Sequence, residues 1–354
     1  MTAHETPLLE LDGLRITLPV RGQDRTVIHR VDLSVPAGTA VGLVGESGSG
    51  KSMTARSVLR LLPAGARTGG EVRFDGASVT AMGPAELRRL RSRDVAMVFQ
   101  DPRAHVNPVR TVGDFLTEGL VTTRGVRPRE AERTVTALLR DVGVADAARR
   151  MRQRPPELSG GLLQRVMIAA ALAAEPRLLL ADEPTTALDV TTQAEVMAII
   201  DEARAARGLA LLFITHDLDL AAAVCDRVAV MYAGGVVEEL PARHLHGGAR
   251  HPYTRALLAS RPDPSAHGRP LRAVPGRPLP AYEAGPGCAF APRCPAAREI
   301  CRTERPEPAP AGDGLAACHF PAEVPAEAPP EVPAEVPAEP RTAVREGDRS
   351  TPHG

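Results

Sequence analysis

Apolar and polar residues alternate along the first eighty positions in the way that predicts β-strands. The segments LLELDGLRITL and TVIHRVDLSV follow this alternation. The run TAVGLVG is mostly apolar, which is typical of a strand buried on both faces. The pair Asp75-Gly76 after EVRF is a hairpin-type turn signal. The N-terminal part of the chain is therefore predicted to consist of strands and turns.

After residue 84 the apolar spacing becomes mainly helical. Residues 84–92 are predicted to form a helix, VAMVFQ a buried strand, and the stretch from Val112 to about Pro156 further helices. In this stretch Pro128 opens a helix and Gly143 ends it. Its apolar face recurs at helical spacing, at Ala131, Val135, Leu138, Leu139 and Val142.

Strands and helices alternate beyond residue 160. The pattern predicts a helix over 160–174, the strand RLLLAD, a helix from Thr192 to Arg207 and the strand LALLFIT. A helix through Val224 and the hairpin VAVMYAGGVVEEL follow. This order, with the preceding helical insert, predicts a mainly parallel α/β sheet with a functional site at the strand ends.

Composition changes near the C-terminus. Proline becomes frequent after about residue 240, and residues 321–340 read PAEVPAEAPPEVPAEVPAEP. Such a tract cannot bury a core, so residues 321–354 are expected to be a disordered Pro/Ala/Glu-rich tail.

Charge and hydropathy exclude several classes of protein. The formal net charge is zero, which argues against a nucleic-acid binder. No window of about 18 apolar residues predicts a membrane span, and the N-terminus has no signal-peptide pattern. A cytosolic protein is therefore expected, in which the five cysteines are thiols or metal ligands rather than disulfides.

One segment fits the phosphate-binding pattern G-x-x-x-x-G-K-[ST] between a predicted strand and a predicted helix. Backbone N–H groups of such a loop surround phosphate oxygens at a helix N-terminus. Lys51 is the single lysine among 43 Lys and Arg residues, as expected where a compact ammonium is needed. It is expected to pair with the β- and γ-phosphates, and Ser52 to hold Mg²⁺. The loop is Gly45, Glu46, Ser47, Gly48, Ser49, Gly50, Lys51 and Ser52.

Polar residues also end three predicted strands. Asp182 is placed to orient Mg²⁺, and Glu183 is a candidate general base for an attacking water. His216 could contact the γ-phosphate and position that water. Gln100 could bond both a metal ligand and the water, and it is expected to serve Mg²⁺ together with Ser52 and Asp182. Together they predict an ATP-hydrolysing site.

The segment Leu158-Ser159-Gly160-Gly161, followed by Gln164-Arg165, resembles the signature of ABC ATPases. With the phosphate loop, Gln100, Ala187-Leu188-Asp189 as a D-loop and His216 as the switch, residues 8–260 resemble a complete ABC cassette. The resemblance implies a P-loop NTPase fold with a mainly parallel core sheet, an N-terminal antiparallel β subdomain and a helical insert. It also implies a head-to-tail dimer, in which Ser159, Gly160 and Gly161 contact ATP of the opposite subunit.

Two positions depart from the family pattern. Leu162 stands where the signature usually continues with Gln, which removes a polar side chain near the opposite site. The first strand lacks the usual adenine-stacking aromatic and offers Leu18 instead, so about 1 kcal/mol of stacking is expected to be lost. An active ATPase is still expected, because neither change touches the lysine, carboxylate or histidine chemistry.

The C-terminal segments HPYTRALL, Val274-Pro275-Gly276 and GCAFAPRCPAAREIC resemble the extension of ATP-binding subunits from dipeptide, oligopeptide and nickel importers. Four thiolates suit a 4Fe–4S cluster or tetrahedral zinc, and the cysteines could also be unmetallated. The resemblance favours iron–sulfur, while Cys225 is expected to lie in the core. The four residues are Cys288, Cys294, Cys301 and Cys318.

The expected organisation is an ATPase domain over 1–245, with its helical subdomain at about 103–165, and a Cys-containing extension over 246–320. The function implied is ATP hydrolysis, with Mg²⁺, that powers dipeptide or oligopeptide import from the cytoplasmic face of the membrane. Expected partners are a second ABC ATPase, identical or different, two transmembrane permease subunits and, indirectly, an extracytoplasmic solute-binding protein, but no nucleic acid. Nickel or a metal chelate is an alternative solute. A soluble non-transport ABC ATPase and a non-hydrolysing regulatory subunit are alternatives of another class.

Overall fold

A computed structural model describes residues 6–20, 22–185, 190–261 and 273–322. The strands are β1 (Leu9–Val20), β2 (Gln23–Val35), β3 (Ala40–Val44), β4 (Arg67–Phe74), β5 (Ala77–Ser78), β6 (Val95–Val98), β7 (Leu178–Asp182), β8 (Ala210–Thr215), β9 (Arg227–Tyr232), β10 (Gly235–Pro241), β11 (Ala309–Ala311) and β12 (Gly314–Ala316). The helices are α1 (Lys51–Val58), α2 (Pro84–Arg89), α3 (Val112–Thr122), α4 (Pro128–Asp141), α5 (Ala147–Arg150), α6 (Gly160–Ala173), α7 (Val190–Arg207), α8 (Leu218–Val224), α9 (Leu245–Gly248), α10 (Pro252–Ala259) and α11 (Glu299–Thr303). A π-helical turn, Leu90–Asp94, continues α2.

A parallel sheet forms the centre of the fold, in the order β9-β3-β8-β7-β6. Every residue of β3, β7 and β8 is buried, which explains why these strands are continuous apolar runs rather than alternating ones. Because parallel strands end at the same edge, Gly45, Glu183 and His216 all follow strand ends at one edge of this sheet.

An antiparallel part continues the sheet on one side. Strand β1 pairs with β2 and β4, and β4 pairs with β5 across the predicted Asp75-Gly76 turn. The buried side chains of β1 alternate at Leu9 and Leu11 and again at Leu14 and Ile16, with a register shift between the two pairs. The predicted antiparallel subdomain is therefore confirmed.

Helices α3 to α5 lie within the predicted helical insert, and α3, α4 and the following α6 pack on one another. Helix α4 begins at Pro128 and ends two residues before Gly143, which has φ of 72°. The predicted apolar face is confirmed, because all five of its members are at most 6% exposed: Ala131, Val135, Leu138, Leu139 and Val142.

The C-terminal extension is joined to the cassette by strand pairing. Strand β12 pairs antiparallel with β10 through Glu238↔Ala316 and Glu239↔Leu315, and β11 pairs with β12. The described part of the extension thus belongs to one compact unit with the cassette. The proposed division at residue 246 stays a prediction, and the tail beyond Ala322 lies outside the described residues. Within the described ranges, every helix is too short or too polar to cross a lipid bilayer.

His251, at the start of α10, predicts an acid-sensitive extension. The residue is 1% exposed, its Nδ1 accepts a hydrogen bond from the amide of Tyr253, and burial lowers its pKa to about 4 from 6.5. The unfolded chain binds the proton of His251 more tightly than the folded chain does. The stabilisation by the neutral, buried imidazole is therefore complete above the unfolded pKa of 6.5, and it is lost as the pH falls toward 4. The free energy of unfolding is expected to drop by about 2 kcal/mol between about pH 7 and pH 5 from this residue alone.

Urea unfolding at the two pH values measures that loss. His251→Asn is the matched variant, because asparagine retains the helix-capping acceptor without titrating. The variant should lose about 2 kcal/mol less than the wild type over this pH range. Equal losses in both proteins would contradict the assignment to His251.

Candidate nucleotide site

The phosphate loop lies between β3 and α1 in a conformation that requires two of its glycines. Gly45 has φ of 155°, and a Cβ there would lie 2.1 Å from the backbone oxygen of Met231. Gly50 caps α1 with φ of 111°, and a Cβ there would lie 2.4 Å from Ile28. These close approaches explain why the pattern has glycine at both ends.

Lys51 is buried within the loop it follows. It is 5% exposed, and its Nζ donates to the carbonyl oxygens of Gly45 at 2.7 Å and Glu46 at 3.0 Å. Burial lowers the pKa of Lys51, and the carboxylates of Glu183, Asp182 and Glu46 oppose that shift. The loop carbonyl oxygens thus hold the ammonium inside the phosphate loop, where a cation can pair with phosphate oxygens.

Ser52 and Asp182, the two residues expected to serve Mg²⁺ from the loop and from β7, are in contact. The Ser52 hydroxyl donates to Oδ1 of Asp182 at 2.8 Å. Asp182 is completely buried, and its Oδ2 has no hydrogen-bond partner among the described residues. Burial raises the pKa of Asp182, whereas the Ser52 hydroxyl lowers it. An unpartnered buried carboxylate oxygen beside a hydroxyl fits Mg²⁺, which prefers oxygen ligands and takes only a few from the protein.

Asp182→Asn is expected to weaken Mg²⁺-dependent hydrolysis by about tenfold or more, because the amide removes the negative charge that favours the cation. The measurement is the ATPase rate as a function of Mg²⁺ concentration. ATP affinity measured with a chelator that removes Mg²⁺ is the reference, because it reports nucleotide binding without the cation. Asp141→Asn, on the exposed end of α4, is the control variant. Mg²⁺ dependence unchanged in Asp182→Asn would exclude the assigned role.

Gln100, Glu183 and His216 converge on one carboxylate oxygen. Gln100 Nε2 donates to Oε2 of Glu183 at 3.1 Å, and His216 Nδ1 lies 3.5 Å from the same atom. The Glu183 side chain is 13% exposed and that of His216 is 61% exposed. Glu183 also has a φ of 45°, in the left-handed region that is uncommon for non-glycine residues. The three predicted residues thus lie together. The Glu183 carboxylate among them is a group that could accept a proton from water.

The signature residues lie at the start of another helix. Ser159 caps α6, and its hydroxyl accepts a hydrogen bond from the amide of Leu162, while Gly160 and Gly161 form the first turn. The Leu162 side chain is half-buried against the core that includes the helical insert. Asp189 of the D-loop lies outside the described residues.

Two contacts of the phosphate loop were not predicted from the sequence. Arg293 forms an ion pair with Glu46, and Tyr253 accepts a hydrogen bond from the Glu46 amide. Both residues belong to segments noted above only for their resemblance to importer subunits, and more than 200 positions separate them from the loop. No local signal could have indicated these contacts.

The four C-terminal cysteines line one small pocket together with His251 and Phe290. Burial raises the pKa of Cys288, Cys294 and Cys318, the last to about 11, so these groups favour the thiol form. In the described part of the chain, no three His, Cys, Asp or Glu side chains are grouped closely enough to hold a metal ion. The cysteines share a pocket without forming a ligand set. Cys225 is buried, as predicted.

Sequence comparisons match both parts of the chain. Residues 28–186 match the ABC transporter family, and residues 237–301 match the oligopeptide/dipeptide transporter C-terminal region. The oligopeptide transport ATP-binding protein OppD of Salmonella typhimurium is 41% identical over 91% of this chain and 98% of its own length. The chain belongs to the ATP-binding subunits of ABC transporters. OppD of Escherichia coli is also 41% identical, over 89% of this chain and 94% of its own length.

Solved structures agree with this assignment. The dimeric ATP-binding cassette MJ0796, in a post-hydrolysis state bound to ADP and Pi, has a TM-score of 0.60 and 28% identity over 66% of this chain and 99% of that chain. CbiO1 from Clostridium perfringens shares the fold, with a TM-score of 0.58 and 24% identity over 68% of this chain and 90% of that chain. This ABC ATP-binding subunit is accordingly an ATPase that uses ATP and Mg²⁺.

Proposed function

We propose that this subunit hydrolyses ATP to power the import of dipeptides or oligopeptides across the cytoplasmic membrane. The observation that carries the proposal is the C-terminal region, which continues the cassette and matches the oligopeptide/dipeptide transporter extension. The names of the relatives, oligopeptide transport ATP-binding proteins, support the same class of solute. Nickel or a metal chelate is the alternative solute, because an ATP-binding subunit does not itself hold the cargo.

The site supports a division of roles in hydrolysis. Lys51 and the loop amides bind the phosphates, and Ser52 with Asp182 would hold Mg²⁺, which neutralises phosphate charge when bound. Glu183 accepts a proton from the attacking water. Gln100 and His216 lie against Oε2 of Glu183, and this contact supports a role in orienting the carboxylate and the water.

In this proposal a second ATPase subunit completes each nucleotide site. Ser159, Gly160 and Gly161 present the N-terminal end of α6, a 14-residue helix, to an anion, and we assign them to ATP of the opposite subunit. Asp189 is assigned to the D-loop of the same interface. The dimeric state of the MJ0796 cassette supports such pairing. The dimer, of identical or different subunits, is proposed to dock on two permease subunits at the cytoplasmic face, with an extracytoplasmic binding protein delivering the solute.

Uptake by cells of the native host tests this function. Cells in which the chromosomal copy carries Glu183→Gln should lose uptake of radiolabelled trialanine and keep uptake of a labelled free amino acid. Loss of labelled Ni²⁺ uptake with normal trialanine uptake would replace peptides by nickel as the solute. Normal uptake of both solutes, together with ATPase activity in the soluble rather than the membrane fraction, would favour a non-transport ATPase.

We also propose that the cysteine pocket binds a 4Fe–4S cluster. Cys288, Cys294, Cys301 and Cys318 all line that pocket, and this shared location is the observation that supports it. Metal binding would require the thiols to lose protons and to move closer together. Anaerobically purified chain should absorb broadly near about 400 nm and contain about four irons. About one zinc per chain would indicate a zinc site, and a folded, metal-free protein would contradict both.

A further inference from the structure

Every polar group of Glu46, the second residue of the phosphate loop, is engaged. Its amide donates to the hydroxyl of Tyr253 at 3.0 Å, and its carbonyl accepts from Lys51 at 3.0 Å. Its carboxylate accepts two hydrogen bonds from Arg293, from Nη1 to Oε2 at 2.7 Å and from Nη2 to Oε1 at 3.1 Å. Two of these three partners belong to the chain beyond residue 250, so the extension holds the nucleotide loop directly.

Arg293 is the fixed partner in this contact. Its side chain is only 5% exposed, and Nε donates to the carbonyl oxygen of Pro275 at 2.7 Å. The guanidinium also lies 5.7 Å from the ring centroid of Tyr232 and 5.8 Å from that of Phe290. A planar guanidinium held from several sides and bonded to both carboxylate oxygens fixes direction as well as distance.

The position of Glu46 matters because the phosphates are bound by the amides around it. The loop turns through Gly45, Gly48 and Gly50, all at positive φ, so its own residues provide little stiffness. A loop that is held in its binding conformation loses less conformational freedom when the ligand arrives. Arg293 comes immediately before Cys294, so the order of the loop depends on the fold of the cysteine segment.

We propose that Arg293 is a positioning residue, which acts through Glu46 to hold the phosphate-binding loop in the conformation that receives ATP. This inference rests on the ATPase function and adds a role for the C-terminal extension in nucleotide affinity. The role depends on the ion pair between Arg293 and Glu46, whether or not the cysteine pocket holds a metal.

The test uses the purified full chain and the variant Arg293→Gln, which keeps a polar side chain but removes the charge and the bidentate contact. ATP should bind about tenfold more weakly, because a loop that is less ordered before binding loses more conformational freedom when ATP binds. Amide exchange in a peptide covering residues 45–50 should be faster in the folded, nucleotide-free variant than in the nucleotide-free wild type. Arg293→Lys should recover only part of the affinity, since lysine cannot make the forked contact.

Glu307→Gln is the control variant. Glu307 also forms an ion pair between the extension and the cassette, with Arg30 of β2 at 2.6 Å, but this pair does not include a residue of the phosphate loop. This variant should change neither ATP affinity nor loop exchange. Glu46→Gln should weaken binding as Arg293→Gln does, and the double variant should be no weaker than either single variant. Additive losses would overturn the proposal.

Wild-type ATP affinity and loop exchange in folded Arg293→Gln would also overturn it. If that variant does not fold, Arg293→Lys carries the comparison, and wild-type behaviour there would count against the role. A wild-type chain that binds no ATP would refute the proposed function. Amide exchange of residues 45–50 in the nucleotide-free chain would still test the positioning role. A failure of the proposed function can therefore be distinguished from a failure of the role of Arg293.

Discussion

Replacing Glu183 with glutamine is expected to lower the rate of ATP hydrolysis by about 100-fold or more, since a general base contributes a factor of about 10² to 10⁴. Glutamine has the same shape and can retain contacts with Gln100 and His216, but it cannot accept a proton. ATP affinity should stay within about threefold of wild type, because the change removes a group used in the transition state rather than in binding. Single-turnover hydrolysis and equilibrium ATP binding measure the two effects.

Glu202→Gln makes the same chemical change on the exposed face of α7 and should hydrolyse ATP normally. A Glu183→Gln variant with near wild-type turnover would remove Glu183 from its role as the base. It would also leave the convergence of Gln100 and His216 on this carboxylate without a catalytic explanation. Comparable losses in both variants would point to a general effect on the fold.

Replacing Lys51 with arginine is expected to weaken ATP binding by about 100-fold, although the charge is retained. Lys51 is 5% exposed, and its ammonium donates to two loop carbonyls within 3.0 Å. The planar guanidinium of arginine cannot reproduce the contacts of a compact ammonium. Equilibrium titration with ATP measures the effect, and thermal unfolding checks that the variant is folded.

Arg60→Lys, just after α1, is the converse substitution at an exposed position and should bind ATP as the wild type does. Tight ATP binding by Lys51→Arg would show that only the charge matters at this position. The single lysine of the chain would then reflect its arginine-rich composition rather than phosphate chemistry.

Much of the architecture was predictable because each element follows local rules. The continuous apolar runs of β3, β7 and β8 indicate strands buried on both faces, and the spacing in α4 places its apolar side on the helical core. The phosphate loop, Glu183 and His216 then follow from the parallel sheet, because the ends of β3, β7 and β8 bring them to one edge.

The family and the residue types of its nucleotide site could therefore be inferred from the chain alone, since motifs and their spacing are local properties. The three-dimensional fold was needed to show that the extension adds β12 to the cassette sheet and that Arg293 and Tyr253 hold Glu46. It also decided that the four cysteines line one pocket without being grouped as ligands. These features depend on contacts between segments up to 247 positions apart, and neither periodicity nor motif spacing carries information about such contacts.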